Sequence, residues 1–130
     1  MALSYKARRR WALLILLVGL PLLAFFAERG VGRTIITLGP KGSATLIDDK
    51  VHVVPSFYVK TEDTTGAGDA YLGALVTEFA ADRPFEEAMI VASAAGALAT
   101  TKDGAQQAMP GYHDVIDFLA ENGQPISWNS

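Results

Sequence analysis

Residues 63–69, with the sequence Asp-Thr-Thr-Gly-Ala-Gly-Asp, combine two kinds of group that can do chemistry together. Gly66 and Gly68 flank a single alanine, so the backbone can bend tightly and present successive N–H groups to one ligand. Asp69 follows at once, and its carboxylate can accept a proton from an attacking hydroxyl. An anion-binding turn beside a general base suits the transfer of a phosphoryl group.

A helix is predicted to follow this turn. Residues 70–79 (AYLGALVTEF) favour a helix that starts near Gly68, and Pro84 ends it near residues 82–84. The turn would then lie at a helix N-terminus, where free N–H groups and the positive end of the helix dipole converge. That position favours a phosphate or a developing negative charge.

An α/β arrangement is predicted around this helix. Residues 34–38 form a β-branched apolar run that ends at Gly39, which is typical of a buried strand in an α/β sheet. The other predicted elements are a hairpin from 43–47 and 51–54, a short strand at 57–60, an alanine-rich helix at 85–100 and an amphipathic helix at 112–121. The small side chains of residues 92–97 suit close contact with a neighbouring element or with a flat ligand.

Three segments of the chain resemble one protein family. Residues 63–75 (DTTGAGDAYLGAL) match the second signature of the ribokinase-like (PfkB) carbohydrate kinases and are most similar to that of ribokinases. Residues 37–42 are similar to the family's nucleotide-site strand and turn, and residues 102–106 to its K-x-G-A-Q segment. The segments follow the family's order at about its spacing, and the resemblance runs from about Thr34 to about Leu119.

The resemblance implies a fold and an activity. The expected fold is the C-terminal portion of a ribokinase-like three-layer α/β/α structure, and the expected reaction moves the γ-phosphate of ATP to a sugar hydroxyl, with D-ribose as the first candidate. Asp69 matches the catalytic base and, with Asp63, the part of the sugar site that this chain retains. Gly66, Ala67 and Gly68 match the backbone anion hole that stabilises the transferring group.

The same resemblance implies sites for ATP and for metal ions. The positions that match the nucleotide site are Thr37, Gly39, Gly42, Gly68 and Ser93, and a helix-packing role is an equal alternative for Ser93. Five positions match a potassium site: Asp63, and, mainly as carbonyl donors, Thr65, Ala99, Lys102 and Gly104. Ala108 stands where ribokinases often carry a serine, which predicts a weakened potassium site. Mg²⁺ is expected with ATP, held mostly by phosphate oxygens and water.

Charge and composition exclude some functions. The net charge of −3 hides an asymmetry, because residues 34–130 carry 5 basic and 13 acidic side chains, a balance of −8. Such an acidic body argues against a nucleic-acid partner, since binding to the phosphate backbone needs a basic surface. The chain has no cysteine, which excludes disulfides and thiolate metal sites.

The N-terminal region has a different character. Residues 11–27 (WALLILLVGLPLLAFFA) are an uncharged apolar run of 17 residues that follows a basic cluster at residues 6–10. We expect a membrane-spanning helix here, although the run is at the short end of what crosses a bilayer. A cleaved signal peptide and a buried core helix are the alternatives.

These features predict a division of the chain into three parts: a basic N-terminus with a membrane helix at 1–30, a partial kinase domain at 31–122 and a tail at 123–130. ATP as the phosphate donor places the kinase part in the cytoplasm, with the orientation of the anchor left open. Ribokinase-like enzymes are about twice this length or more, and the half that supplies most of their sheet and sugar pocket is not recognisable here. The incomplete sheet would leave strand 34–38 open to pairing with another chain.

Two functions of different classes therefore stay open. The first is a ribokinase-like sugar kinase, complete in this chain or completed by a second polypeptide. The second is an inactive kinase remnant that retains nucleotide binding behind a membrane anchor.

Overall fold

The computed structural model describes residues 15–104, 107–124 and 126. The chain divides into two compact units, with the boundary between Pro55 and Ser56. Each unit is described by itself. The predicted division at residues 30 and 122 stays a prediction, and most of the predicted tail lies outside the described residues.

A β-hairpin forms the centre of the first unit. Strands β2 (Ser43–Ile47) and β3 (Lys50–Val54) pair antiparallel, with Ile47 opposite Lys50. The connecting residues Asp48 and Asp49 have φ angles of 49° and 60°. Positive φ at both central residues matches the right-handed twist of the flanking strands, and aspartate tolerates it better than most residues. The predicted hairpin is confirmed.

Strand β1 (Ile35–Thr37) adds to the hairpin and gives the order β1-β2-β3 in a sheet of three strands. It pairs antiparallel with β2, and the Thr45 hydroxyl donates to the carbonyl of Thr34 at 2.7 Å. The predicted strand therefore exists, but Ile35 and Ile36 are only half-buried because β1 lies at the edge of this small sheet. The expectation of a fully buried strand is wrong for the described residues.

The N-terminal apolar run forms a short helical element. A π-helical turn (Ile15–Gly19) leads into helix α1 (Leu20–Glu28), which contacts β2. Leu23 is only 1% exposed, whereas Leu22, Phe25 and Phe26 remain exposed. Burial of Leu23 against the unit favours the core-helix alternative for this segment.

The membrane anchor predicted over residues 11–27 is not supported. Among residues 15–104, 107–124 and 126, no helix combines the length and the apolar character needed to cross a bilayer. Residues 11–14 of the predicted span lie outside this described part.

The second unit contains helices α2 (Ala67–Ala80), α3 (Phe85–Ala99) and α4 (Tyr112–Glu121). All three were predicted. Helix α2 ends at Ala80, two to four residues before the predicted end at 82–84, and the other observed bounds differ from the predicted ones by no more than about one residue. The short strand predicted at 57–60 is wrong, because this segment pairs with no described strand. Phe57 instead packs its ring edge-on against Phe118 of α4, with the ring centroids 5.3 Å apart.

Helix α3 supplies most of the core of this unit. Its alanine-rich surface packs against α2 on one side and α4 on the other. The buried cluster consists of Val91, Ala94, Ala95, Val115 and Leu119. Small side chains on α3 allow the neighbouring helices to approach closely, and the apolar residues of α4 close the cluster. Ala74, in the middle of α2, packs against this cluster.

Candidate active site

The turn before α2 has the backbone geometry that its glycines predict. Gly66 is the N-cap residue of the helix, with φ 83° and ψ −2° in the left-handed region. The Ala70 N–H donates to its carbonyl at 2.9 Å, which makes this the first helical hydrogen bond. A side chain would strain the backbone at this φ, so glycine is required for the sharp entry into the helix.

The first turn of α2 has N–H groups to offer to a ligand. No side chain in the described part of the chain caps this helix end, and the N–H groups of Gly68 and Asp69 precede the first residues that can bond within the helix. Gly68 is exposed, and a Cβ placed on it would meet no atom within 4 Å. The helix dipole adds a partial positive charge at the same place. The turn can therefore hold an anion close to the backbone.

Asp69 lies in this first turn with its side chain exposed. Among the described residues, none donates a hydrogen bond to the Asp69 carboxylate and none forms an ion pair with it. A carboxylate is favourable at a helix N-terminus, and here it also stays open to a ligand. The structure thus places an exposed carboxylate and backbone N–H groups on a single helical turn.

Asp63 has a different environment, because both of its carboxylate oxygens accept hydrogen bonds. The Thr65 N–H donates to Oδ1 at 2.9 Å, and the Gly104 N–H donates to Oδ2 at 3.3 Å. The Glu62 and Asp63 N–H groups both donate to the Thr100 carbonyl, at 2.7 and 3.2 Å. The segment before α2 is thereby joined to the segment after α3.

These bonds also set the ionisation of Asp63. The N–H and then the hydroxyl of Thr65, followed by the Gly104 N–H, lower the pKa of this carboxyl from its ordinary value of 3.8. Donors aimed at a carboxylate stabilise the charged form. Asp63 is therefore anionic at neutral pH.

The residues matched to a potassium site lie around this junction. Thr65 and Gly104 are both bonded to Asp63, and Ala99 is the last residue of α3, where carbonyl groups lack partners within the helix. Lys102 is exposed in the connecting segment. Among the described residues, no three His, Cys, Asp or Glu side chains cluster as a metal site. A set made mainly of carbonyl oxygens fits a hard cation such as potassium.

Helix α3 supports the turn through Gly96. A Cβ at Gly96 would lie 3.2 Å from the Ala67 carbonyl oxygen and 3.6 Å from the Tyr71 Cβ. The absence of a side chain therefore lets α3 approach the first turn of α2. The sequence indicated close packing in residues 92–97 in general, but it did not single out Gly96. The only signal was a glycine inside a helix, where it is unfavourable unless packing requires it.

The remaining predicted nucleotide residues are placed as follows. Ser93 lies on α3 and is 5% exposed. Thr37 ends β1 in the first unit and is exposed, and it is followed by a tight turn in which the Leu38 N–H donates to the Gly42 carbonyl at 2.7 Å. Gly39 and Gly42 have φ angles of 60° and 100° in this turn. Their roles toward a nucleotide stay predictions.

Comparison with known proteins extends the resemblance. Residues 21–111 match the pfkB family of carbohydrate kinases. The match begins within the apolar run, so the resemblance reaches further towards the N-terminus than the motifs alone indicate.

Individual relatives agree with this family. The ribokinase of Haemophilus influenzae is 36% identical over 94 residues, which are 72% of this chain and 31% of that protein. The Arabidopsis thaliana ribokinase complexed with ribose and ATP superposes with a TM-score of 0.71 at 31% identity, covering 76% of this chain and 32% of that one. A Vibrio cholerae fructokinase double mutant, with fructose, ADP and potassium bound, gives a TM-score of 0.69 at 32% identity, covering 75% and 33%.

These matches show a shared fold and set its extent. The chain spans about a third of the length of the relatives it matches. Its small sheet and three packed helices form part of the ribokinase-like α/β fold, as the sequence predicts. The family match covers well over half of the 130 residues. The chain belongs to the pfkB family of carbohydrate kinases.

Proposed function

We propose that this chain carries the phosphoryl-transfer part of an ATP-dependent sugar kinase that acts in the cytoplasm. The observation that carries the proposal is the first turn of α2. Gly66, in the left-handed region, begins a helix in which the Gly68 and Asp69 N–H groups precede the first helical hydrogen bond, and the exposed Asp69 carboxylate lies beside them. An anion site and a proton acceptor within one helical turn are what a transfer to a hydroxyl group requires.

The chemistry assigned to these residues is a single displacement. The carboxylate of Asp69 accepts the proton of the sugar hydroxyl while the oxygen of that hydroxyl forms a bond to the γ-phosphorus. The bond from that phosphorus to the oxygen bridging to the β-phosphate breaks, and ADP leaves with the electron pair. The N–H groups of Gly66, Ala67 and Gly68 stabilise the charge on the transferring group, and Asp69 and the turn mainly position the reactants.

The nucleotide and the ions would be held by the remaining predicted residues. Those assigned to ATP are Thr37, Gly39, Gly42, Gly68 and Ser93. Mg²⁺ would neutralise phosphate charge through phosphate oxygens and water. Potassium would lie near the carbonyls of Thr65, Ala99, Lys102 and Gly104 and add positive potential near the turn. The potassium and ADP bound to the Vibrio cholerae fructokinase support this assignment.

D-Ribose is the proposed acceptor, with fructose as the comparison. The ribokinase of Arabidopsis thaliana binds ribose and the fructokinase binds fructose, so the family resemblance alone does not separate them. Asp69 and Asp63 are the residues assigned to the sugar. The two Asp63 oxygens have four lone pairs, so the three donors from Thr65 and Gly104 leave one lone pair for a sugar hydroxyl.

ADP release by the full chain tests the proposal. The chain is assayed with ATP, Mg²⁺, potassium and either D-ribose or D-fructose. We expect ribose-dependent release that falls by about 10² or more in Asp69→Asn, since a positioned base contributes roughly that factor. Asp117→Asn, an exposed aspartate on α4, is the matched control and should retain the wild-type rate. Retained turnover in Asp69→Asn would remove Asp69 from the role of base.

A second variant tests the anion turn. Gly68→Val places a branched side chain where the structure has open space, so the fold accepts it while the N–H groups become crowded. We expect weaker ADP binding. Gly73→Val is the control, because Gly73 lies in the same helix and also has no atom within 4 Å of a Cβ. Equal ADP affinity in the two variants would contradict the phosphate-binding turn.

Nucleotide binding without transfer is the second candidate for the chain assayed by itself. This candidate is supported by the short length of the match, since the chain spans about a third of the length of its relatives. Among the described strands β1 pairs only with β2, so its other edge is available to a further strand of the family fold. ADP binding with no sugar-dependent release would select this candidate.

A further inference from the structure

Asp63 connects two segments that are far apart in the sequence. Its Oδ1 accepts a hydrogen bond of 2.9 Å from the N–H of Thr65, the residue directly before Gly66. Its Oδ2 accepts the N–H of Gly104, which is 41 residues away and follows α3. A single side chain therefore bonds both to the entrance of the glycine turn and to the segment that the family resemblance links to potassium.

We propose that Asp63 is a positioning residue that holds the anion-binding turn of α2 in place by this tether, and that it does so without a bound cation. The proposal rests on the proposed function, because the turn it positions is the one assigned to the phosphate. It differs from the role that the resemblance implies for Asp63, which is to contact a cation or the sugar.

The chemistry of the side chain supports this role. A carboxylate accepts hydrogen bonds at both oxygens, and bonds to an ionised acceptor are stronger than bonds between neutral groups. An asparagine has the same shape but only one acceptor oxygen, and its NH₂ group would face a backbone N–H. Asp63→Asn therefore keeps the volume and removes at least one end of the tether.

The neighbouring backbone shows why the tether is needed at this point. The Thr100 carbonyl already fixes the Glu62 and Asp63 N–H groups against the end of α3. Among the described residues, a further backbone bond of the segment from Asp63 up to Gly66 is a long one of 3.3 Å, from the Ala67 N–H to the Thr64 carbonyl. The Asp63 to Thr65 bond limits the directions in which the turn can move, and the Gly104 bond ties Asp63 itself to the following segment.

ADP affinity measured with and without potassium tests the proposal on the full chain. Titration calorimetry is carried out in tetramethylammonium chloride and in potassium chloride for the wild type, Asp63→Asn and Glu62→Gln. Glu62→Gln is the matched control, because it removes the same charge one residue away from an exposed side chain. We expect Asp63→Asn to weaken ADP binding by about 10-fold in both salts, the size of effect that a hydrogen bond to a charged group can have. The control should match the wild type.

Amide hydrogen exchange gives a readout that does not depend on nucleotide. The Thr65 and Gly104 amides should exchange faster in Asp63→Asn than in the wild type, while amides in the middle of α3 should be unchanged. Unchanged exchange at both amides would overturn the tether. An affinity loss seen only in potassium would also overturn the proposal, because it would assign Asp63 to the cation.

The two readouts separate this proposal from the proposed function. A wild-type chain that fails to bind ADP in either salt would contradict the phosphate role of the turn and, with it, the functional part of the positioning role. The exchange rates would still decide whether Asp63 joins the two segments.

Discussion

The two ends of helix α2 differ in whether their polar groups are paired within the protein. At the N-terminal end, which begins at Gly66, none of the described side chains caps the helix, and Gly68 and Asp69 are exposed. At the C-terminal end, Glu78 is 4% exposed and forms an ion pair with the Arg83 guanidinium.

Several further contacts close the C-terminal end. Asp82 takes a left-handed φ of 56°, and the Arg83 N–H then donates to the Glu78 carbonyl at 3.0 Å. The Arg83 guanidinium also reaches Glu87, in the first turn of α3, at 3.4 Å. The rings of Phe79 and Phe85 stack, with centroids 5.3 Å apart and an interplanar angle of 8°.

This difference separates stability from function within one helix. Polar groups at the C-terminal end are paired inside the protein, so changes there should lower the free energy of unfolding. The N-terminal end leaves donors and a carboxylate for a ligand, so changes there should mainly affect binding or turnover.

Removal of the Arg83 side-chain charge should have the largest effect on stability. Arg83→Met leaves the Glu78 carboxylate buried without its partner, and the loss of one member of a buried ion pair costs about 3–5 kcal/mol. Urea unfolding of the full chain, followed by circular dichroism, measures the change. Glu87→Gln removes the more exposed partner and should cost less than about 1 kcal/mol. Equal losses in the two variants would contradict the assignment of Glu78 as the dominant partner.

Crowding at Gly96 should have the next largest effect. Gly96→Val pushes a side chain against the Ala67 carbonyl, and overpacking of this kind costs about 1–3 kcal/mol. Because the contact is with the first turn of α2, we expect ADP affinity to fall as well. Gly73→Val meets open space and should change neither quantity by much. A Gly96→Val chain with wild-type stability and affinity would show that the two helices can separate without consequence.

The sequence predicts most of the local structure of this chain. The hairpin follows from alternating strand residues around Asp48 and Asp49, and the three helices of the second unit follow from apolar periodicity and from Pro84. Local signals suffice there because each element is set by residues close in sequence. The glycine turn belongs to the same class, since the positive φ of Gly66 is a local requirement.

The errors concern burial and long-range contacts. The apolar run at 11–27 has the composition of a membrane span, but its described part is a short helix that buries Leu23 within the first unit. The residues 57–60 have strand-like composition, yet Phe57 is used to pack against Phe118. The hydrogen bond between Asp63 and Gly104 joins residues 41 positions apart, and no local sequence pattern predicts it.

Asp69→Asn should change stability only slightly. The side chain is exposed in the first turn of α2, where a negative charge interacts favourably with the helix dipole by about 0.3–1 kcal/mol. Urea unfolding of this variant, set beside its rate of ADP release, compares the two quantities directly. A loss of stability above about 2 kcal/mol would mean that Asp69 has a structural partner, and the contrast between the helix ends would then fail.

The smallest expected effect is the pH-dependent contribution of Asp63 to the stability of the fold. The pKa of Asp63 is lowered in the folded chain, chiefly by the Thr65 N–H, so its ionised form stabilises the fold at pH values above 3.8. This contribution is lost as the pH falls from 3.8 through the lower folded pKa.

We therefore expect the wild type to be slightly more stable than Asp63→Asn at pH 7, and we expect this gap in the free energy of unfolding to narrow below pH 3.8. Urea midpoints of the two proteins between pH 7 and pH 3 measure the gap, with Glu62→Gln as the control. A gap that is constant with pH would show that the charge of Asp63 does not hold the segment before the turn. The open end of α2 would then owe its geometry to Gly66 and to the packing at Gly96 alone.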